Sequence, residues 1–306
     1  MRTAIAAAVF VSLALSPGAD NPKFTDWSAP VNLGPVINTP YVDSCVTISK
    51  NGLSLFISST RQAPGTTNRD LYVSTRLTVT DPWGPPAPLA TINTNTWESC
   101  PALSLDEHRL YFTSNRAGGC GGQDIWVSRR QDRRNDFGWE DPLNLGCAAD
   151  GGPNTPFGDL TPALFEDEAG RVLMYFASNR GSSWDHYQTV MKGDDTFGPA
   201  TPIPVLNSSY VDQGITVRRD GLEVILLSDR LSSGGSLNFF TATRESTGDP
   251  WSEPVPVPSL GNPAWGQGKI SLSIDGTELY FTSWLTDTGT HPDLFVARRA
   301  KVKGGK

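Results

Sequence analysis

Five copies of one pattern divide the chain, and a sequence of repeats this similar is restricted to a few architectures. Each copy is marked by an asparagine five residues before an acidic or amide side chain, and these steps lie 55, 61, 53 and 55 residues apart. The pairs are Asn38 and Asp43, Asn93 and Glu98, Asn154 and Asp159, Asn207 and Asp212, and Asn262 and Gln267. A repeat of about 40 to 60 residues is typical of one propeller blade.

The second copy, residues 93–147, shows the pattern most cleanly. It contains the segments SCPALS, HRLYFTSNR, DIWVSRR and WEDPLNLG, which are separated by turns. The first three segments alternate or are rich in β-branched and aromatic residues, as half-buried strands are. The sequence therefore predicts an all-β chain that forms a single five-bladed β-propeller of four-stranded blades.

The two ends of the chain share the last blade in this prediction. Residues 24–33 match the fourth segment of the other copies, whereas the fifth copy stops after DLFVARR without one. We expect the N-terminal strand to join the last blade and close the ring, because closure removes exposed sheet edges. The predicted propeller covers residues 20–300, with blades at 40–92, 93–147, 154–206, 207–261, and 262–299 plus 24–33, followed by a basic tail at 301–306.

The first 19 residues have the composition of a secretory signal peptide. Met1-Arg2 is a basic start, Ala4 to Leu15 is a small-apolar run, and Ser16-Pro17-Gly18-Ala19 offers small residues for cleavage. This run is too short for an integral membrane segment. We therefore expect a secreted or periplasmic protein, and a monomer.

The charge of the chain limits its partners. It has 25 Lys and Arg against 32 Asp and Glu, a net charge of -7, so nucleic acid and anionic membranes are unsuitable partners. No HExxH, GxSxG or glycine loop leading into a helix is present, so metalloprotease, serine hydrolase and dinucleotide chemistry have no support. Of the partner classes considered, a protein or a glycan ligand remains.

Export and four cysteines predict two disulfides. Cys120 precedes the third strand of its copy and Cys147 follows the fourth, so both lie on one face of the ring and are expected to pair. Cys45 and Cys100 occupy equivalent positions in adjacent inner strands and would pair near the axis. Because side chains alternate along a strand, that bond would also turn Asp43 and Glu98 toward the axis.

The repeat resembles a known family. The run S-x-D-G-x-x-L-Y-F-x-S-N-R, followed by G-G-x-D-I-Y-V-S-x-R, resembles the TolB-like propeller repeat, which also occurs in WD40-like repeat proteins of bacterial envelopes. The resemblance covers essentially the whole chain after residue 19. It implies a propeller that serves as a binding scaffold, a partner of a pore lipoprotein or a domain attached to an enzyme. The fifth copy departs from the pattern at Trp284-Leu285, and the third carries Gln188 in its third strand.

The acidic steps form the main candidate site. Asp43, Glu98, Asp159 and Asp212, with Gln267, begin the five inner strands and would surround one axis at the mouth of the ring. Oxygen ligands from several loops suit Ca²⁺, the one cofactor considered, and close carboxylates suit acid/base catalysis. Five-bladed glycoside hydrolases likewise use acidic residues on inner strands near the axis. In the alternative, each acid caps its own turn beside the repeated asparagine.

Aromatic residues stand beside the acidic steps: Tyr41, Trp97, Phe157, Tyr210 and Trp265. They could stack on a sugar or peptide, or pack between loops, and we expect packing more for Phe157 and Tyr210 than for the tryptophans. A cation or Lys269 would relieve the mutual repulsion of the acids. The favoured hypothesis is ligand binding at the mouth without chemistry. The alternative is a polysaccharide-active glycoside hydrolase or lyase that uses two of Asp43, Glu98, Asp159 and Asp212 as acid and base.

Overall fold

The computed structural model describes residues 24–62, 68–193, 196–231, 236–260, 269–283 and 291–302, together with the backbone of 264–265. The predicted signal peptide at 1–19, Gln267 and Trp284-Leu285 lie outside these ranges. The described residues form five antiparallel sheets and two short 3-10 turns, at 148–150 and 258–260. The all-β five-bladed propeller predicted from the repeat is confirmed.

Each blade runs from an inner strand at the axis to a short outer strand. The first strand in the chain is β1 (Val31–Asn32). Blade 1 is β2 (Asp43–Ile48), β3 (Ser54–Ser59), β4 (Asp70–Thr75) and β5 (Ala87–Pro88). Blade 2 is β6 (Glu98–Leu103), β7 (Arg109–Ser114), β8 (Asp124–Arg129) and β9 (Leu143–Asn144).

The other three blades repeat this order. Blade 3 is β10 (Asp159–Glu166), β11 (Val172–Ser178), β12 (Asp185–Val190) and β13 (Thr201–Pro202). Blade 4 is β14 (Asp212–Val217), β15 (Glu223–Ser228), β16 (Ser236–Thr243) and β17 (Val255–Pro256), and β18 (Ala264–Trp265) also pairs with β16. Blade 5 is β19 (Ser271–Leu272), β20 (Glu278–Ser283) and β21 (Asp293–Arg298), with β1 as its outer strand.

The ring is closed by β1, as the sequence predicts. Val31 pairs with Val296 and Asn32 with Phe295, so the chain's first strand completes its last blade. Trp27, just before β1, is buried, and the Arg299 guanidinium lies over its ring at 4.3 Å. Closure therefore combines strand pairing with the burial of a large aromatic side chain.

The same arginine–aromatic stack attaches the outer strand of most blades. These outer strands are two residues long, which gives them few backbone hydrogen bonds. The arginine after the third strand lies over the tryptophan that precedes the fourth. The pairs are Arg76 with Trp83, Arg130 with Trp139, Arg244 with Trp251 and Arg299 with Trp27, each with a guanidinium to centroid distance between 4.1 and 4.4 Å.

The core lies between the blades. In a typical cluster, Phe56 of blade 1 packs with Phe112 and Trp126 of blade 2, all of them buried. Burying each such side chain stabilises the fold by about 1.5–3 kcal/mol. Every cluster of this kind joins two neighbouring blades, so each blade buries its apolar side chains against the blades beside it.

A β-bulge interrupts the inner strand of blades 1 to 4. The pairing register shifts between Ser44 and Val46, and equivalent shifts occur in β6, β10 and β14. The extra residue adopts a left-handed conformation at Cys45, Cys100, Thr161 and Gly214, with φ between 44° and 58°. An inserted residue re-aims the side chains on either side of it.

Both predicted disulfides are present. Cys45 of blade 1 bonds to Cys100 of blade 2 through their two bulges, with Cα atoms 4.6 Å apart. Cys120 bonds to Cys147 on one face of blade 2, with Cα atoms 5.5 Å apart. The first disulfide therefore joins two blades at the axis, and the second holds the loop between β7 and β8.

Removing the closing strand tests the closure. A chain that starts at residue 34 lacks β1 and Trp27, whereas one that starts at residue 24 keeps both. Loss of a buried tryptophan alone costs about 3–5 kcal/mol, so we expect the shorter chain to unfold at a temperature lower by more than about 5 °C. Differential scanning calorimetry measures the difference. Melting of the two chains within a degree or two of each other would contradict the closure.

Candidate ligand site at the mouth of the ring

The mouth face is the face of the ring at which the inner strands begin. In blades 1 to 4 the inner acid is fully buried there: Asp43, Glu98, Asp159 and Asp212 each have no exposed surface. Asp43 shows the arrangement. Its Oδ2 atom accepts hydrogen bonds from the Thr39 amide and hydroxyl at 2.6 and 2.7 Å, and its Oδ1 pairs with Arg61 at 2.8 Å. The carboxylate caps the turn that precedes its own strand.

The other three acids repeat this arrangement. Glu98 accepts from Thr94 and pairs with Arg116 at 3.2 Å. Asp159 and Asp212 accept from Thr155 and Ser208, and pair with Arg180 and Arg230 at 2.6 Å. The repeated asparagine completes the network, since the Asn38 side chain exchanges two hydrogen bonds with the Leu294 backbone of the preceding blade.

The four carboxylates therefore do not form a shared metal centre. Within the part of the chain that the structure describes, no three His, Cys, Asp or Glu side chains lie close enough to hold a metal ion. The Lys269 amine does not reach the acids either, because it donates to the Pro101 carbonyl and to Thr47 Oγ1. The geometry matches the turn-capping alternative, and the expected Ca²⁺ ligand set is not assembled.

The β-bulge removes the basis of the expectation from strand alternation. Cys45 points to its partner Cys100, but it is the extra residue of the bulge, between Ser44 and Val46. Counting two residues back across a bulge does not return to the same face. The direction of Cys45 thus says nothing about that of Asp43.

A second row of aspartates lies beside the inner acids, one at the start of the third strand in four blades. They are Asp70, Asp124, Asp185 and Asp293, while blade 4 has Asn238 at this position. Burial raises the pKa of each, and the charge of the next blade's inner acid raises it further.

The second-row aspartates differ in their partners. Asp124 accepts from the Cys120 amide and Asn144, and Asp293 accepts from Asn32. Asp70 and Asp185 accept no side-chain hydrogen bond within the described ranges and are half-buried. These two carboxyl groups are the ones left available to a ligand at the mouth.

Blade 3 departs from the other blades next to Asp185. His186 follows it, where the equivalent residues are Leu71, Ile125, Phe239 and Leu294. The imidazole has no exposed surface, and neither ring nitrogen makes a hydrogen bond of normal geometry within the described part of the chain. Burial lowers its pKa to about 4, although the Asp212 charge opposes this shift. His186 is therefore neutral at physiological pH and lies against the Asp212–Arg230 pair.

The aromatic residues at the mouth fall into two groups. Phe157 and Tyr210 are 52% and 46% exposed, and Tyr41 is half-buried. Trp97 is buried under the Arg69 guanidinium at 5.6 Å. The side chain of Trp265 lies outside the described residues. The expectation that Phe157 and Tyr210 pack more than the tryptophans is thus wrong for Trp97.

The spacing to the acid explains the difference. Tyr41, Phe157 and Tyr210 lie two residues before their acids and point outward, whereas Trp97 lies one residue before Glu98. The Trp97 amide donates to Asn115 Oδ1, as the Gly158 amide does to Asn179, so position minus one faces the blade. The sequence contains this signal, because the exact number of residues between each aromatic side chain and its acid separates Trp97 from Tyr41, Phe157 and Tyr210.

Blades 3 and 4 together present the blade 3–4 patch, which we define as Phe157, Trp184, Asp185, Tyr187 and Tyr210. The Ser183 hydroxyl donates to the Tyr210 carbonyl at 2.9 Å, and the Trp184 ring lies against Gly158 so closely that a β-carbon there would be 2.6 Å from it. Arg180 lies over the Tyr187 ring at 4.5 Å. The patch therefore combines exposed aromatic surface with one half-buried carboxyl group.

The capping role of the inner acids predicts the effect of neutralising one. Asp159→Asn removes the counter-charge of the largely buried Arg180 side chain. Breaking such a buried ion pair lowers the free energy of unfolding by about 3 kcal/mol. Urea denaturation measures the loss. As the matched control, Asp132→Asn removes an exposed ion pair with Arg134 and should change stability very little. Equal stability of Asp159→Asn and the wild type would contradict the capping role.

The raised pKa of Asp185 predicts a pH dependence. At neutral pH the charged carboxylate destabilises the folded chain, because its folded pKa is above its unfolded one. Asp185→Asn should therefore unfold at a higher temperature than the wild type at pH 7. The difference should shrink as the pH falls through the folded pKa and disappear below about pH 4, where both states are protonated. A pH-independent difference, or one matched by the exposed Asp141→Asn control, would contradict this environment for Asp185.

Comparison with known proteins gives the fold its context. No family model and no curated protein matches the sequence, so the resemblance to TolB-like repeats has no independent support. Solved structures do match. The α-L-arabinofuranosidase of Podospora anserina, solved with cellotriose, superposes with a TM-score of 0.60 at 14% identity, over 92% of this chain and 99% of that one.

Two further structures match over nearly their whole length. The endo-arabinase of Bacteroides thetaiotaomicron gives a TM-score of 0.57 at 16% identity, over 92% of this chain and 100% of that one. A β-xylosidase/α-arabinofuranosidase from a compost metagenome, solved with xylotriose, gives 0.56 at 14% identity, over 93% and 96%. The fold of this chain is thus shared with solved glycoside hydrolases.

Proposed function

We propose that this protein acts on a glycan at the mouth face, as a glycoside hydrolase whose sugar lies on the blade 3–4 patch. The observation that carries the proposal is that Phe157 and Tyr210 are exposed in the same patch as Asp185, a half-buried carboxyl group without a hydrogen-bond partner within the described ranges. Flat aromatic surface beside a few polar groups suits the apolar face and hydroxyls of a sugar. The shared fold of the solved arabinofuranosidases and xylosidases supports a glycan over a protein ligand.

Asp185 is the acid in this proposal. General acid catalysis of glycoside hydrolysis needs a carboxyl group that keeps its proton near the working pH. Burial and the charge of Asp212 both raise the pKa of Asp185, and Asp212 is paired with Arg230 beside it. Asp185 would donate its proton to the glycosidic oxygen, while Asp212 supplies the second carboxylate. Asp43, Glu98 and Asp159 remain turn caps.

Glycan binding without hydrolysis is the second candidate. This candidate is favoured by the burial of Asp212, which has no exposed surface and accepts hydrogen bonds from Arg230 and Ser208. A carboxylate closed off in this way reaches water only if Arg230 moves. Both candidates place the ligand on the same patch, outside the cytoplasm, where two disulfides are compatible with the surroundings. No helix within the described ranges is long and apolar enough to cross a membrane.

A binding and turnover assay separates the candidates. Arabinan, xylan and their oligosaccharides are titrated onto the protein by calorimetry, and the products of long incubations are analysed by chromatography. Phe157→Ala and Tyr210→Ala should each weaken binding by about threefold to tenfold, which corresponds to about 0.5–1.5 kcal/mol of aromatic contact. Asp185→Asn should abolish turnover while binding persists.

The control for the aromatic substitutions is Phe137→Ala. Phe137 is 53% exposed, as Phe157 is, but lies in the loop between β8 and β9 on the opposite face. Its loss should leave binding unchanged. Binding without products would support the second candidate. Absence of binding to every glycan, or an equal loss in Phe137→Ala, would contradict the proposal.

A further inference from the structure

Lys269 stands where no other blade carries a charge. It precedes β19 of blade 5 at the position held elsewhere by Cys45, Cys100, Thr161 and Gly214, which are all uncharged. The side chain is only 2% exposed, so the amine lies inside the ring. A lysine at a buried position that holds an uncharged residue in the other four blades needs a physical explanation.

In the part of the chain that the structure describes, the Lys269 amine has no counter-ion. It donates to the Pro101 carbonyl and, at 3.4 Å, to Thr47 Oγ1, and no carboxylate within the described ranges pairs with it. Burial lowers its pKa well below the usual range for lysine. A buried ammonium group that lacks a paired charge is costly. Burial therefore favours the neutral amine more than it is favoured in an exposed lysine, and a bound anion would stabilise the charged form.

A cavity connects this amine to solvent at the face opposite the mouth. Its volume is about 100 Å³, and its walls include one small residue from the inner strand of each blade: Thr47, Ala102, Ala163, Thr216 and Ser271. The charged groups that line it are Lys269, Lys50, Arg219 and Glu107. Lys50 and Arg219 are exposed at the rim, while the buried Glu107 carboxylate accepts the Lys50 amide hydrogen. Cations thus outnumber anions around the cavity.

We propose that this axial cavity binds a small oxyanion, a carboxylate or a phosphate, with the Lys269 amine as its counter-charge. The hydroxyls of Thr47 and Ser271, which lie 3.4 Å apart beside the amine, supply further donors. The volume admits an anion of a few heavy atoms but not a sugar chain. Lys50 and Arg219 draw the anion to the entrance. The site is separate from the blade 3–4 patch and does not depend on the proposed function.

Calorimetry on the wild-type protein tests the site with acetate and with inorganic phosphate as probes. We expect one anion to bind per chain, with an affinity that falls as the pH rises through the pKa of the free amine, because the amine must take up a proton to pair with the anion. Titration in buffers of different ionisation enthalpy should show this proton uptake. The probe that binds more tightly identifies the class of anion.

Substitution assigns the binding to the amine. Lys269→Met, which keeps the length of the side chain, should weaken binding at least tenfold, whereas Lys301→Met, at an exposed lysine outside the cavity, should leave it unchanged. Failure of both probes to bind the wild type, binding without proton uptake, or equal binding by Lys269→Met would overturn the proposal. If Lys269→Met does not fold, proton uptake by the wild type decides alone.

Discussion

The buried pairing of an acid with an arginine, repeated in four blades, is the interaction on which the rest of the ring depends. In blade 1, Asp43 holds the turn at Thr39, and Arg61 bridges from the acid to the Ile37 carbonyl. The same guanidinium lies over the Tyr72 ring at 5.0 Å. One ion pair thus fixes the entering loop, the end of the second strand and the start of the third. Loss of either partner would leave an unpaired charge buried at the mouth of each of these four blades.

The repeat allowed much of the structure to be predicted because it constrains pairing as well as period. The match of residues 24–33 to a fourth strand correctly indicated the closure by β1, and equivalent positions correctly paired Cys45 with Cys100. The direction of the inner acids could not be predicted, because the bulge after Ser44 breaks the alternation on which the expectation rested. A bulge has no marker in the sequence when its left-handed residue is Cys or Thr rather than glycine.

The residues that bear most directly on function are those that differ between blades. Within the described ranges Asp185 lacks the hydrogen bonds that Asp124 and Asp293 receive, and His186 beside it replaces a leucine, isoleucine or phenylalanine. Lys269 introduces a buried amine at the axis that has no carboxylate partner within the described ranges. Residues that are the same in every blade explain the fold. Residues that differ between blades are the places where we expect the ring to distinguish one ligand from another. The sequence shows these departures, but only the structure shows that they are buried or exposed.

A double-mutant cycle on Asp212 and Arg230 tests the central claim most directly, namely that the inner acids hold the blades together. The free energies of unfolding of the wild type, Asp212→Asn, Arg230→Met and the double variant are measured in urea. A buried, hydrogen-bonded pair predicts a coupling energy of about 2–3 kcal/mol, with the double variant more stable than the sum of the single losses suggests. A coupling energy near zero would contradict the claim that the inner acids stabilise the ring through their arginine partners.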